Sequence, residues 1–216
     1  MLRLVCLAIG YLIGCIQSAY FVGKMSRVDL RKYGSGNLGT TNALRVLGKK
    51  AGAVTFLCDV AKSLLSFLLC WWMFDSVTAG LYGSLGAVLG HDFPFYLGFH
   101  GGKGVAASIG LMIALTAFRS PYFMVCALGL ALVGLLVANA ISLGSLCLVG
   151  MLPAVSMVLY GPTEETVALL LLFLLTLYQH RENLKRLSHG TENPFFGKKK
   201  TASASAEGGK KEAHEA

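Results

Sequence analysis

The sequence predicts an all-α fold, a polytopic bundle of about seven transmembrane helices with the N-terminus outside and the C-terminus cytoplasmic. Three observations carry that expectation. Of the 216 residues, 55% are hydrophobic and 14% charged, against about 25% charged in soluble domains, and mean hydropathy is +0.62. The charges are segregated: residues 51–179 hold only eight of them, Asp59, Lys62, Asp75, Asp92, Lys103, Arg119, Glu164 and Glu165. The positive charges are also sided, once spans are drawn. An apolar middle with charged ends excludes a soluble globular domain and a disordered chain.

A helix needs about 20 apolar residues to cross the hydrocarbon core. Leu4–Gly23 is the first candidate, too long for the apolar region of a signal peptide and read as a retained span. Gly52–Phe74 is the second. The third begins near Val77 and stays apolar to about Phe99, interrupted by His91, Asp92 and Pro94. Gly104–Phe118 is a short fourth. The apolar stretch 121–160 is too long for one helix and suits two, turning near Asn139. Val167–Tyr178 is the last. Spans three and four could instead form a shorter re-entrant pair, giving five crossings and the same placement of the termini. With seven spans, sixteen Lys and Arg residues fall on the side of the 24–50 loop, the 98–103 loop and the segment after Gln179. Only Arg3 and Arg119 fall on the other, with Lys62 inside a span. The basic side is expected to be cytoplasmic.

Residues 1–193 are expected to form one integral membrane domain. Residues 194–216 are expected to be a disordered basic cytoplasmic tail of low complexity, its lysines either touching anionic lipid or simply solvated. All six cysteines fall in apolar runs without a CxxC pair and read as buried, reduced thiols. No internal repeat is evident.

Three polar segments interrupt the apolar pattern, all on the basic side. The first is Ser35-Gly36-Asn37-Leu38-Gly39-Thr40-Thr41-Asn42-Ala43-Leu44-Arg45. Its glycines allow tight turns and close approach of a ligand. Ser, Asn and Thr offer neutral hydrogen bonds, and Arg45 a bidentate partner for phosphate. It reads either as a phosphate cradle or as a polar loop whose glycines only turn the chain. The second is Gly90-His91-Asp92-Phe93-Pro94, followed by Phe99-His100-Gly101-Gly102-Lys103-Gly104-Val105-Ala106. A lysine and free N–H groups opening an apolar helix make an anion site, although Lys103 could merely anchor a helix end. It is not a Walker A loop, because Leu97 and Gly104 stand where that pattern needs Gly and Ser or Thr. No acidic magnesium cluster is visible, and neither metal nor cofactor is expected. The third is His180-Arg181-Glu182-Asn183-Leu184-Lys185-Arg186-Leu187. His180 and Asn183 share a helix face. Lys185 and Arg186 read as interfacial anchors. Asp59 and Lys62, three apart inside the second span, are expected to pair, with a direct substrate contact as the second reading.

Together these segments resemble the bacterial PlsY family, integral-membrane glycerol-3-phosphate acyltransferases that use acyl phosphate. The resemblance extends to about Asn193, its three motifs matching Ser35–Arg45, Gly90–Ala106 and His180–Glu192. One departure is Gln17, where relatives often have proline. The resemblance implies that the sn-1 hydroxyl of glycerol-3-phosphate attacks acyl phosphate, yielding 1-acyl-glycerol-3-phosphate (lysophosphatidate) and phosphate, the first step of phospholipid biosynthesis. It implies a multi-pass protein of the bacterial inner membrane, its site facing the cytoplasm. A monomer is expected, at most loosely associated with the enzyme that makes acyl phosphate, and without nucleic acid. No histidine has an aspartate five positions later, so the His-x-x-x-x-Asp motif of acyl-CoA-type acyltransferases is missing.

On that resemblance the catalytic set is Ser35, Asn37, Lys103, His180 and Asn183. Lys103, Arg45 and Ser35 bind phosphate. Asn37 and Asn42 orient substrate or polarise the carbonyl. His180, supported by Asn183, positions the hydroxyl and either accepts its proton or leaves it to the substrate phosphate. Gly36, Gly39, Thr41, His91, Gly101, Gly102 and Gly104 complete the binding set. The competing reading is a transporter of a small organic phosphate, which would favour paired repeats and a site at the bilayer midplane.

Overall fold

The structure, a computed structural model, describes residues 1–196. Ten α-helices follow in order: α1 (Leu2–Gly14), α2 (Ser18–Met25), α3 (Thr40–Leu47), α4 (Lys49–Phe74), α5 (Val77–Asp92), α6 (Val105–Phe118), α7 (Tyr122–Ala138), α8 (Ile141–Tyr160), α9 (Glu164–Gln179) and α10 (Arg181–Ser188). There is no strand among the described residues. The stretches Leu2–Met25, Lys49–Phe74 and Ile141–Tyr160 are each long and apolar enough to cross a bilayer; Val105–Phe118 and Tyr122–Ala138 are shorter apolar helices.

Hydrophobicity here does not separate inside from outside. Leu57, Leu65, Trp72, Val125, Val137, Val158 and Leu171 all point outward and are more than half exposed. Such a surface is stable only in an apolar solvent. In lipid, helix association relies on close packing of small residues rather than on expulsion of water. The α1–α5 interface shows this. A Cβ added to Gly10, Gly14, Gly86 or Gly90 would lie 2.2 Å or less from a backbone carbonyl oxygen of the facing helix. Gly10 meets Gly83 and Gly14 meets Ala87, so α5 runs parallel to α1. Phe67 faces Gly80 and the Ser66 carbonyl faces Gly83, so α5 runs antiparallel to α4. Leu81 of α5, with Leu111, Leu115, Phe123, Leu152 and Leu169, continues the core from α5 through α9.

Several elements depart from the expected bounds. The first span is not continuous: it breaks at Cys15–Gln17 between α1 and α2. No proline causes the break. Gln17 is extended (φ −85°, ψ 96°), and its buried side chain donates to the His91 carbonyl. The Tyr96 hydroxyl donates to the Cys15 carbonyl (2.8 Å). Tertiary hydrogen bonds therefore replace the helical ones. The third span stops at Asp92, seven residues short of Phe99, because Pro94 is followed by a single 3-10 turn, Phe95–Leu97. The 121–160 stretch divides at Asn139, which takes a left-handed conformation (φ 48°). All six cysteines are free; Cys6, Cys15 and Cys70 are buried as expected, whereas Cys126 and Cys147 are half-buried and Cys58 is exposed on α4.

At the end of the bundle away from the three polar segments, the first turn of α9 is a fastening point. Glu164 pairs with Arg3. Glu165 pairs with Arg119 and accepts from Thr78 (2.6 Å). Residues 194–196, assigned to the tail from composition, are instead held: Phe195 N donates to the Asn139 carbonyl and Phe196 N to Asn139 Oδ1, both at 2.8 Å. The remainder of the expected tail, 197–216, lies outside the described residues.

Gly86→Val should lower the melting temperature of the detergent-purified protein by several degrees or abolish folding, since its methyls meet the α1 backbone. Gly129→Val, with nothing within 4 Å of the added Cβ, should leave it unchanged. Thermal unfolding of the pair checks the helix contact.

Candidate active site

The site is assembled by three loops that lock onto one another. After Asp92 the chain turns back on itself: Gly101 N donates to the Asp92 carbonyl and Gly102 N to the His91 carbonyl, both at 3.0 Å. A Cβ at 101 would strike the His91 carbonyl oxygen at 2.0 Å, and one at 102 the His91 Nε2 at 1.9 Å. Glycines at both positions are thus a condition of the fold. Leu38 N donates to the Gly101 carbonyl (3.4 Å), tying the first polar segment to the second. Gln179 Nε2 donates to the Gly102 carbonyl (3.4 Å), tying the third.

Asn42 organises the first segment. Its Nδ2 donates to the carbonyls of Leu30 and Tyr33 (3.1 Å each) and its Oδ1 accepts from Ser35 N (2.9 Å). The amide is fully occupied by backbone, so Asn42 shapes the loop that presents Ser35 and Asn37. Gly39 then caps α3, and Gly104, left-handed at φ +69°, caps α6. Both helix N-termini open on one cavity.

That cavity has a volume of about 770 Å³. It is lined by Ser35, Asn37, Gly39, Thr41, Asn42, Arg45, His91, Lys103, Gly104, His180 and Asn183, which brings eleven of the fourteen sequence-derived residues together. Gly36, Gly101 and Gly102 stand behind it and shape its loops. The cavity continues along an apolar wall of Ile109, Leu128, Leu132, Leu135 and Leu148. One end is polar and cationic, and the other is suited to a hydrocarbon chain.

Three further residues join the site that the sequence reading left out. Ser142, Arg186 and Glu192 all line the cavity. Glu192 accepts from Asn183 Nδ2 (2.8 Å), Arg186 Nε (2.8 Å) and Ser142 Oγ (3.4 Å). Asn183 Oδ1 in turn accepts from Lys103 Nζ. Arg186 is therefore a member of the site rather than an interfacial anchor, whereas Lys185 faces outward and pairs with Glu182 (3.3 Å). A charge pattern alone does not separate two neighbouring cations on one helix; the helical phase relative to His180 and Asn183 would have done so.

The electrostatics are specific. His180 is buried, and its Nδ1 lies 2.9 Å from the Thr176 carbonyl. A carbonyl only accepts, so Nδ1 carries the proton and Nε2 keeps its lone pair. Burial pushes the His180 imidazole down to about 4, and the nearby Lys103 adds to the effect. Lys103 is likewise lowered by burial and by the neighbouring Arg186. Asp59 and Lys62 form the expected pair (3.0 Å), joined by Ser18 Oγ (3.0 Å to Asp59) and by His91. Among the described residues, no cluster of three or more His, Cys, Asp or Glu side chains is placed to hold a metal ion.

A membrane helical bundle with a cationic chamber at one end and an apolar groove beside it is the architecture of an enzyme working between water and lipid. The family model described as glycerol-3-phosphate acyltransferase matches residues 4–190. A glycerol-3-phosphate acyltransferase of Alkaliphilus metalliredigens is 42% identical over 193 residues, 89% of this chain and 95% of that protein. That of Thermoanaerobacter pseudethanolicus is 38% identical, covering 86% of this chain and 91% of its own. The crystal structure of PlsY (YgiH), an integral membrane glycerol 3-phosphate acyltransferase, in its glycerol 3-phosphate form superposes with a TM-score of 0.80 at 34% identity, covering 90% of this chain and 96% of that one. Its lysophosphatidic acid form gives 0.76 at 32% identity, covering 90% and 95%. The chain belongs to the PlsY family of integral membrane glycerol-3-phosphate acyltransferases.

The His180 environment has a measurable consequence. Its folded pKa of about 4 lies below the ordinary 6.5, so the unfolded chain binds the extra proton first on acidification. The stabilisation is complete above pH 6.5 and lost as pH falls toward 4. The stability difference between wild type and His180→Gln should shrink across that window, as followed by thermal unfolding at a series of pH values.

Proposed function

We propose that this enzyme transfers the acyl group of acyl phosphate to the sn-1 hydroxyl of glycerol-3-phosphate, giving lysophosphatidate and phosphate at the start of phospholipid synthesis. The observation that carries this reading is the single cavity in which His180, Lys103 and two helix N-termini meet an apolar wall. Both substrates bear phosphate and one bears a long chain, so such a site fits both at once. The named relatives act on glycerol-3-phosphate. The cations and free N–H groups of the chamber suit a phosphoryl leaving group that needs no carrier.

The chemistry divides among the residues as follows. Lys103, Arg45, Ser35 and the N–H groups opening α3 and α6 hold phosphoryl oxygens and offset charge gathering on the departing phosphate. Asn37 polarises the acyl carbonyl. Asn183 and Glu192 keep the Lys103 ammonium aimed into the chamber. His180 Nε2 accepts a hydrogen bond from the attacking hydroxyl and orients its lone pair. An imidazole with a pKa of about 4 stores a proton poorly at neutral pH. The departing inorganic phosphate, released as a dianion far more basic than that ring, is the better final acceptor.

The proposed topology has seven crossings, by α1 with α2, α4, α5, α6, α7, α8 and α9, in the bacterial inner membrane. α5 reaches from Thr78, bonded to Glu165 at the far end of the bundle, to His91 at the chamber, which supports a full crossing over a re-entrant pair. The excess of Lys and Arg beside the chamber supports a cytoplasmic orientation for it.

Full-length protein in a lipid mesophase, supplied with acyl phosphate and glycerol-3-phosphate, should release phosphate and lysophosphatidate at equal rates. Phosphate release without glycerol-3-phosphate would mean hydrolysis, and activity with acyl-CoA alone would reassign the donor. Lys103→Ala should cut turnover by roughly a hundredfold or more, with the protein still inserted and monodisperse. Activity near wild type in that variant removes Lys103 from the mechanism.

A further inference from the structure

Past α10 the chain crosses the chamber as a short strap without regular structure, residues 191–196. Its near end is set by the close of α10, where Gly190 is left-handed (φ +63°) and Thr191 N donates to the Arg186 carbonyl (2.8 Å). Glu192, Asn193, Pro194 and Phe195 then line the cavity. The Glu192 side chain is only 11% exposed and receives Asn183, Arg186 and Ser142. Its far end is fastened to the α7–α8 turn: Phe195 N donates to the Asn139 carbonyl (2.8 Å), Phe196 N to Asn139 Oδ1 (2.8 Å), and Asn139 Nδ2 to the Phe196 carbonyl (3.0 Å).

That far attachment does not come from packing. The rings of Phe195 and Phe196 are 48% and 57% exposed, so backbone hydrogen bonds to Asn139 hold the strap down. The choice of residue at 139 says the same. The position is left-handed (φ 48°, ψ 36°), and glycine would turn the chain there at no steric cost. Asparagine tolerates the conformation because its amide can bond locally, yet here the amide bonds a residue 57 positions away. Both of its polar atoms are spent on Phe196. A carboxylate on a segment pinned on both sides reaches its partners with little ordering left to do, whereas one on a loose chain end does not.

We propose that Asn139 is a positioning residue: its amide latches the 191–196 strap, fixes Glu192 against Asn183 and Arg186, and so keeps the Lys103 ammonium aimed at the substrate phosphate. Asn139 touches no substrate. It acts through a chain of contacts that runs from Phe196 to Glu192, from Glu192 to Asn183, and from Asn183 Oδ1 to Lys103 Nζ. The role of Lys103 at its end rests on the acyltransfer reading above. The same latch ties the tip of the α7–α8 hairpin, whose Leu128, Leu132, Leu135 and Leu148 form the apolar wall, to the segment that carries Glu192. The polar and apolar parts of the cavity are thereby held in register.

The test uses the full-length enzyme in lipid nanodiscs and the variant Asn139→Gly, which keeps the left-handed turn and removes only the amide. Amide hydrogen exchange should find the Phe196 N–H protected in the wild type and exchanging about tenfold faster or more in the variant. The melting temperature should be unchanged, while kcat/KM for glycerol-3-phosphate falls about tenfold. Combining Asn139→Gly with Glu192→Gln should be no slower than Glu192→Gln alone, because Asn139 acts through Glu192. Losses that simply add, a Phe196 amide already open in the wild type, full activity in Asn139→Gly, or a lost activity that follows a lowered melting temperature would each overturn the proposal. Kinetics are measured with whichever acyl donor the wild type uses. An error in the assigned donor therefore shows in the wild type and leaves the exchange and the coupling between the two variants readable.

Discussion

A single ammonium group deep in an apolar bundle sets the terms for much of the rest. Lys62 is 6% exposed, and an ion at that depth survives only if every N–H is met and a counter-charge lies close. Two acceptors come easily, from Asp59 one turn earlier and His91 on the neighbouring helix. The third is a backbone carbonyl, and a carbonyl inside a continuous helix is already used. Here α2 starts its own ladder from Gln17, to which Phe21 N donates, and the Ile16 carbonyl is released. The broken first span and the buried charge are thus two sides of one requirement. Together they pin α1, α4 and the end of α5, from which the glycine loop and Lys103 are hung.

Much of the site was legible in the sequence because its residues contrast with their surroundings. Asn37, Lys103 and His180 stand in short polar segments between long apolar runs, where no packing role competes for them. The Asp59–Lys62 pair was legible from its helical spacing. What escaped was whatever depends on distant chain segments meeting. His91 joins that pair across 29 positions, and no periodicity announces it. The break at Cys15–Gln17 has no proline to mark it, since the hydrogen bonds that replace the helical ones come from Tyr96, Lys62 and the His91 carbonyl. Ser142 and Glu192 look unremarkable until the α7–α8 turn and the chain after α10 are brought together around Arg186.

Glycine serves two unlike purposes. Along α1 and α5 its missing side chains let two backbones touch, which substitutes for the hydrophobic force that lipid does not supply. At Gly101 and Gly102 the same economy operates against the end of α5, where it lets a loop lie close over a charged cluster. Asn42 does by hydrogen bonding what those glycines do by absence: it consumes its whole amide on the 30–35 loop. The functional side chains are few, and most of the polar chemistry around them is scaffolding that holds loops still.

The two acidic residues that open α9 bear on the chemistry from a distance. Sixteen residues separate the start of that helix from its end, about 24 Å at 1.5 Å per residue. Its first turn is clasped to α1 through Arg3 and to the α6–α7 junction through Arg119, while the Thr176 carbonyl in its last turn holds the His180 ring. A helix does not stretch, so α9 behaves as a ruler: the height of the imidazole above the chamber floor is measured from an anchorage at the far end of the bundle. A reaction carried out at one end of the molecule thereby takes its alignment from ion pairs at the other.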